Sequence, residues 1–433
     1  PSWRSADEYY TFSNTLGDAD GDGDLDLAVA VGEPYYGAPK ENRVYFNHGG
    51  TLETTPSWTA NLADHSMDAA FADVDGDGDL DLAFCTAGRQ NTVYFQTGGV
   101  LQTTAGWSSS DNSNQNGNSC TFADVDADGD LDFCVTDNDQ LSGGQGVYKI
   151  YRNTGTGLAT TPYWSDFGGY VSAAAFADLH LDGYPEVIGG TWWGGTEIYR
   201  NQNGTPQTST AWDSAKNSVV EAFALGDLDE NGIQYVTGEA YPGNGVDRLF
   251  YLAHQPAQEI TAVRVDGVLL TAQDWCADFE SGWISVATPP NSTFEVDYAW
   301  SESLDLAVTN WDSSIGNLIF LRDPLVKVSI TPPTGSLIYQ AGDSFSFSGQ
   351  WNSTTNRQEN VRIAAAGFPP VGGMRLLDFH SETLTPFGNT SHTYNVNLPS
   401  NLPGIFLGTS TFVVAVVVDG VAAERAEFQI QIQ

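Results

Sequence analysis

Closely spaced aspartates are the residues in this chain best placed to do chemistry. They run Asp18, Asp20, Asp22, Asp24, Asp26 in one segment, Asp73, Asp75, Asp77, Asp79, Asp81 in a second and Asp124, Asp126, Asp128, Asp130, Asp132 in a third. Each segment carries carboxylates at positions 1, 3, 5 and 9 and a glycine at position 6 (Gly23, Gly78, Gly129) that permits a sharp turn. Oxygen donors so spaced wrap around one hard cation, and the chemistry they suit is calcium binding. An EF-hand would continue to a glutamate at position 12 between helices. Here position 9 is already acidic and apolar, β-type residues follow at once, as in Leu25–Val29, Leu80–Phe84 and Leu131–Val135, which selects a β-hairpin.

Further copies grade away from this pattern. The fourth has Asp178, His180, Asp182, Gly183 and Glu186, so histidine, a poor calcium ligand, replaces one carboxylate. The fifth has Asp227, Asp229, Asn231 and Gly232 but Tyr235 at position 9, and the sixth keeps only Asp297, Ser301 and Asp305. Three calcium sites are expected, and up to five if Asp178, Asp182, Glu186 and Asp227, Asp229, Asn231 also serve. The alternative for the degenerate copies is an Asx-type turn on the same backbone path without metal.

The loops must be held by a larger unit. Each copy runs through a Trp-bearing segment, an apolar strand, the acidic loop, a second apolar strand and a tyrosine-rich third strand such as Asn42–Asn47, Val147–Tyr151 or Glu197–Tyr199. First aspartates at 18, 73, 124, 178 and 227, then 297, give a period near that of one four-stranded propeller blade, and six units. This order of strand, Asp-x-Asp-x-Asp-Gly-x-x-Asp loop and strand resembles the FG-GAP/VCBS-type repeats of integrin-like β-propellers over residues 1–323. The resemblance implies calcium on the hairpin loops and no enzymatic activity. The expected fold is all-β: a β-propeller of six blades, seven being the alternative, followed by an immunoglobulin-like β-sandwich.

Several local expectations attach to this fold. Pro1-Ser2-Trp3 repeats the blade-ending Pro56-Ser57-Trp58, so it is expected to close the ring by pairing near Asn317–Leu321. A small β insertion is expected over 257–292, turning at Asp266-Gly267 and carrying Trp275, Cys276, Phe279 and Trp283 as a ligand platform or, more commonly, a hydrophobic cluster. Cys120 and Cys134 flank the third loop and could bridge across its hairpin, whereas Cys85 and Cys276 read as small buried apolar residues. Over 325–433 the repeat stops. Strands separated by Pro/Gly/Asn turns there suggest the sandwich, with Asp419-Gly420 turning the last hairpin and a closing strand that buries one face and presents glutamines on the other.

Composition bounds the function. With 16 Lys+Arg against 55 Asp+Glu, net charge −39, the chain has no basic cluster to release counterions, which argues against nucleic acid and anionic lipid as partners. No apolar run reaches membrane-spanning length, and the first residues lack a signal peptide's pattern, so no membrane insertion is expected and the chain reads as mature. Weak calcium loops fill at extracellular calcium levels, which favours an extracellular or cell-surface location.

Six scattered histidines, no His-Glu-x-x-His and no Gly-x-Ser-x-Gly give no catalytic constellation, so no catalytic residue is assigned. The expectation is a non-catalytic, calcium-stabilised surface protein for adhesion or structural self-assembly into a layer or filament. Its partners would be further copies of itself, other cell-surface proteins or glycans. One alternative is a carbohydrate-binding, lectin-like propeller in which Trp192 and Trp193, with Tyr35 and Tyr36, stack on sugar rings, the repeated Trp3, Trp58, Trp107, Trp164 and Trp212 being core. The enzymatic alternative is a polysaccharide lyase, a class that includes calcium-binding propellers; the four lysines leave few basic proton acceptors for it.

Overall fold

The computed structural model describes residues 2–433 apart from 33, 36, 112–115, 141–142, 216, 229–231, 313, 322–325, 335–336, 354–358, 370–374, 385–388, 399, 401–407 and 419–420. The described residues form strands and turns without helices, in two compact units, Pro1–Leu321 and Arg322–Gln433.

In the first unit the acidic loops join strands that pair antiparallel. Sheet one holds β1 (Thr11–Gly17), β2 (Asp26–Val31), β3 (Lys40–Tyr45) and β4 (Trp58–Asp64) in chain order. Sheet two holds β5 (Ser66–Ala72), β6 (Asp81–Thr86), β7 (Thr92–Tyr94) and β8 (Trp107–Ser108). Sheet three uses β9 (Gly117–Ala123), β10 (Asp132–Asp137), β11 (Gly146–Tyr151) and the first part of β12 (Trp164–Ala177). The rest of β12 begins sheet four with β13 (Glu186–Gly194), β14 (Thr196–Asn201) and β15 (Pro206–Asp213).

The next copy departs from the expected count. β16 (Ser218–Gly226) should pair with the strand directly after its loop. An insertion intervenes instead, made of β17 (Ile233–Pro242), β18 (Leu249–Tyr251), β19 (Ala257–Val265), β20 (Val268–Leu269), β21 (Trp275–Asp278), β22 (Trp283–Val286) and β23 (Thr293–Ser301). β16 then pairs with β24 (Asp305–Asn310), which pairs with β25 (Leu318–Phe320). The fifth and sixth copies are therefore one sheet, and among the described residues five repeat sheets replace the six expected, beside two small sheets of the insertion. The inserted segment also runs wider than 257–292. Its turn at Asp266 and Gly267, both at positive φ, joins β19 to β20 as expected for a tight hairpin.

Aromatic contacts repeat with the sheets and decide this count. Trp58 packs edge-on against Tyr94 at 5.3 Å, Trp107 against Tyr151 at 5.4 Å and Trp164 against Tyr199 at 5.7 Å. Each tryptophan ends one repeat and covers the third-strand ring of the next sheet. Trp212 meets Phe320 at 5.2 Å, which puts β25 in the third-strand place of sheet five. Trp3 meets Tyr45 of sheet one at 5.4 Å, and its indole N–H donates to the Glu53 carbonyl as that of Trp58 does to Leu101. The N-terminal segment thus docks on sheet one. The pairing expected near Asn317–Leu321 is not formed among the described residues, where β25 has only β24 beside it. Such edge-to-face pairs add about 0.5–1.5 kcal/mol each beyond buried area.

The strand register explains why the cysteine bridge does not form. Cys134 lies opposite Thr121 and Cys120 opposite Val135, so the two cysteines project from opposite faces of sheet three. All four cysteines are free and buried. The insertion's Trp283 and Cys276 pack into the core of sheets one and two, as the hydrophobic-cluster alternative required, while Phe279 is exposed.

The second unit has a sheet of β26 (Val326–Thr331), β28 (Ser344–Ser353) and β31 (Asn389–Asn397), and another of β27 (Ile338–Tyr339), β33 (Val421–Ile432), β32 (Gly408–Val418), β29 (Glu359–Phe368) and β30 (Arg375–Leu384). One core, with Phe347, Trp351 and Tyr394 from the first and Phe412, Val414, Phe428 and Ile430 from the second, joins them. Along the closing strand Phe428, Ile430 and Ile432 are buried while Gln429 and Gln433 are exposed. Val418 pairs with Val421, so only Asp419 and Gly420 lie between β32 and β33; they fall outside the described residues.

Candidate metal centres

Every acidic loop is anchored by the same register. The residue before the loop faces the ninth carboxylate across the hairpin: Gly17 faces Asp26, Ala72 faces Asp81, Ala123 faces Asp132 and Ala177 faces Glu186. In sheet five Gly226 faces Asp305. The amide of the loop's second residue then donates to that carboxylate: Ala19 to Asp26 at 2.8 Å, Val74 to Asp81 at 2.9 Å, Leu179 to Glu186 at 2.9 Å and Leu228 to Asp305 at 2.8 Å. Asp305, assigned from sequence to a sixth repeat, is the ninth-position acid of the fifth. Its strand context, Leu304 to Val308, matched the earlier copies, and only the intervening insertion hid its partner.

The first aspartate organises each turn. The amide of the position-6 glycine donates to it at 3.0 Å in loops one to three (Gly23, Gly78, Gly129), and at 2.8 Å in loops four and five (Gly183 to Asp178, Gly232 to Asp227). Gly23 is at φ +92, where a side chain would be strained and would also meet Ala287.

Carboxylate oxygens within 4.8 Å of one another come from Asp18, Asp20 and Asp26; from Asp73, Asp75 and Asp81; and from Asp124, Asp126 and Asp128. A further group joins Asp20 and Asp22 to His48. These sets could hold a divalent cation. Position 7 does not join them: Asp24 accepts from the Gly49 amide at 2.6 Å and Asp79 from the Gly98 amide at 2.5 Å, each capping the neighbouring turn.

Burial raises the carboxyls of these loops. Burial, opposed by the Asn47 amide, pushes the Asp26 carboxyl up to about 8; burial does the same to Asp81, and to Asp132 to about 7. Asp20 rises to about 6 through burial and then the nearby Asp22 and Asp18 charges. The buried Oδ2 of Asp132 has no hydrogen-bond partner.

The remaining loops differ. In loop four His180 Nδ1 lies 2.8 Å from Glu186 Oε1, and Asp178, Asp182 and Glu186 do not converge. In loop three Arg152 lies 3.1 Å from Asp126 beside the cluster. Asp229 and Asn231 of loop five fall outside the described residues, but Asp227 accepts from Ser301 Oγ at 2.7 Å.

Two further sets of contacts tie the loops into the first unit. The side-chain amide after each third strand reaches the preceding sheet's loop: Gln96 to the Asp18 carbonyl, Asn153 to Val74 and Asn201 to Val125. The insertion covers loops one and two, where Ser285 Oγ donates to Asp18 at 2.5 Å and the Asp73 amide donates to Tyr251 Oη at 3.0 Å. A cavity of about 480 Å³ is lined by residues of β1, β5, β9, β12 and β16 together with Asp278, Glu280 and Ser281 of the insertion.

The aromatic candidates separate. Trp192 is buried and Trp193 exposed, while Tyr35 is exposed on its turn and Tyr36 lies outside the described residues. Trp311 stands beside Trp192 at 6.3 Å, a neighbour that no sequence spacing indicated.

A model of the FG-GAP-like repeat matches residues 18–84 and 73–135, each span running from one acidic loop through the next. No curated protein matches the chain. Solved structures similar to parts of it include a Pseudomonas fluorescens alkylpurine DNA glycosylase, AlkC, bound to abasic-site DNA (17% identity, 26% of this chain and 31% of that one, TM-score 0.21). A Listeria innocua β-glucosidase with isofagomine is similar at 9% identity, 25% of this chain and 16% of that one, TM-score 0.21. The CARDB domain of a Pyrococcus furiosus protein with di-metal ions is similar at 11% identity, 25% of this chain and 87% of that domain, TM-score 0.20. The chain spans under a third of the length of the first two, and likeness at these scores bears on neither fold nor function. The chain carries two FG-GAP-like repeat matches, over three acidic loops, in an all-β structure.

Proposed function

We propose that residues 1–321 form a five-bladed, calcium-stabilised β-propeller, that the second unit is an immunoglobulin-like sandwich, and that the protein is a non-catalytic extracellular surface protein for adhesion or structural assembly. The observation that carries this reading is the threefold convergence of carboxylates on hairpin loops that are themselves hydrogen-bonded to the next sheet. Calcium, when bound, supplies the positive charge that lets these acids stay ionised at close range. Asp18, Asp20, Asp22 and Asp26 would hold it in loop one, Asp73, Asp75, Asp77 and Asp81 in loop two, and Asp124, Asp126, Asp128 and Asp132 in loop three.

The consequence is mechanical. Fixing the first and ninth carboxylates fixes the carbonyls of Asp18, Val74 and Val125, to which the next sheet's amide side chain bonds, so occupancy of one loop stiffens the seam to its neighbour. A scaffold of this kind presents surfaces instead of turning over substrate, and binding and folding are linked. Calorimetric titration with calcium, joined to light scattering and negative-stain microscopy with calcium present and then chelated, tests both halves. Three or more ions per chain and calcium-dependent polymers or sheets are expected. A chain that takes up no calcium overturns the metal reading, and a monodisperse monomer under every condition overturns self-assembly.

A further inference from the structure

The seam between sheets four and five carries an aromatic surface built by three segments distant in sequence. β13 runs past its own sheet to pair with β16, Trp192 facing Val219 and Gly194 facing Ser218. The chain after β24 then joins the same place, where the Trp311 amide donates to the Val219 carbonyl at 2.9 Å. These connections bring four rings into one cluster. Trp193 meets Tyr170 at 5.6 Å and Trp192 at 6.0 Å, and Trp192 meets Trp311 at 6.3 Å. Trp192 is the buried base, whereas Trp193 is 54% and Trp311 70% exposed.

Two observations set this patch apart from ordinary core spilling onto a surface. Trp193 has φ +61, the left-handed region that bulky residues avoid, yet its ring is held out in solvent. Its contacts with Tyr170 and Trp192 leave the residue 54% exposed, so packing repays that conformation less than burial repays a core tryptophan. In addition, polar groups at the seam are incompletely satisfied. The Glu221 carboxyl stands beside the buried indole N–H of Trp192 and is its hydrogen-bond partner, while the buried Ser218 hydroxyl is without a partner.

We propose that Trp193, Trp311 and Tyr170 form a stacking platform for a neutral carbohydrate, with Glu221 and Ser218 meeting its hydroxyl groups. A sugar ring has an apolar C–H face that suits an indole and a rim of hydroxyls that both donate and accept, so one ligand uses the rings, the Glu221 carboxyl and the Ser218 hydroxyl together. An aliphatic protein or peptide surface would use only the rings. Net charge of −39 disfavours anionic glycans and anionic membrane surfaces at the same place. The proposal deepens the adhesive reading by naming a ligand class, and rests on that reading only for its biological setting.

The test is tryptophan-fluorescence and calorimetric titration of the full chain, in calcium, with chitotetraose, cellotetraose and mannotetraose, a neutral-glycan array to extend the panel, and polygalacturonate as the acidic control. Saturable binding of a neutral glycan is expected, weakened at least tenfold by Trp311→Ala and by Trp193→Gly. The second variant suits φ +61 better than tryptophan does, so it should melt no lower than the parent and separates loss of the ring from loss of the fold. No neutral glycan bound by the parent, binding of polygalacturonate alone, or undiminished binding by both folded variants would each overturn the proposal. Calcium uptake in the same samples reports separately on the metal loops, so failure here leaves that reading intact, and failure there leaves this one measurable.

Discussion

In loop two the first and ninth carboxylates, Asp73 and Asp81, are joined by one short acidic turn, whereas in loop five their counterparts Asp227 and Asp305 are separated by the seven strands β17–β23. The amide bond to the ninth acid is nonetheless the same, 2.9 Å from Val74 and 2.8 Å from Leu228, and so is the bond from the position-6 glycine to the first. What is common to the two is the pairing register of the flanking strands, Ala72 with Asp81 and Gly226 with Asp305. A loop of this type is therefore defined by the sheet beneath it. Lengthening a surface connection costs little once its ends are held, because loop-closure entropy grows only slowly with length.

The sharpest way to break this comparison is through the seams. Trp58→Ala removes a buried ring from the seam between sheets one and two and should cost about 3–5 kcal/mol, read from urea unfolding in calcium. Trp212→Ala, at the equivalent seam before sheet five, should cost less than half as much because Trp212 is already 38% exposed. Equal losses would deny that the fifth seam is the looser one.

Next comes the ninth acid itself. Asp81→Ala leaves the Val74 and Gln96 amides without their acceptor and should cost about 2–4 kcal/mol. Asp305→Ala, which strands the Leu228 amide, should cost about 1–2 kcal/mol. An Asp305 variant as stable as the parent would mean that the split loop is a coincidence of register.

Protons sharpen the same contrast. In the metal-free fold burial holds the carboxyls of Asp26 and Asp81 at about 8 and of Asp132 at about 7, against 3.8 for the ordinary group. The folded state then keeps protons that the unfolded chain has released. The stability these groups contribute is complete below about pH 4 and is lost as pH climbs to about 8. Urea midpoints in chelator should fall between pH 4.5 and 8. With calcium that fall should be reduced or reversed, and midpoints flat in chelator would show that the loops are neutralised some other way.

The smallest effect is expected at loop four. His180→Asp replaces the ring that contacts Glu186 and restores the third-position acid. Calorimetry should then count one more calcium ion per chain than in the parent, with little change in fold. An unchanged count would mean that the length of Glu186, more than His180, spoils the site.

Legibility in the sequence followed the range of the interactions involved. The aspartate spacing in loops one to three and the apolar strands after them lie within one repeat, and the structure forms those strands on either side of each loop. The acids at position 7 were harder, because spacing groups Asp24 and Asp79 with the ligands while the turn of the adjacent hairpin, at Gly49 and Gly98, claims them. The cysteines show the same limit: flanking a hairpin symmetrically says nothing about face, and a one-residue offset puts Cys120 and Cys134 on opposite sides.

By itself, then, the sequence determined an all-β chain, the acidic hairpin loops, the repeat period and the turn at Asp266-Gly267, since propensity, spacing and backbone chirality act over a few residues. Tertiary structure alone decided that the fifth and sixth copies are one sheet, that Asp305 closes the fifth loop, that the insertion rests on loops one and two, and that Trp311 stands with Trp192 and Trp193. Each of these depends on which strand pairs with which across long stretches of chain, and that choice is made by burial of whole sheet faces, a property no local run of residues contains.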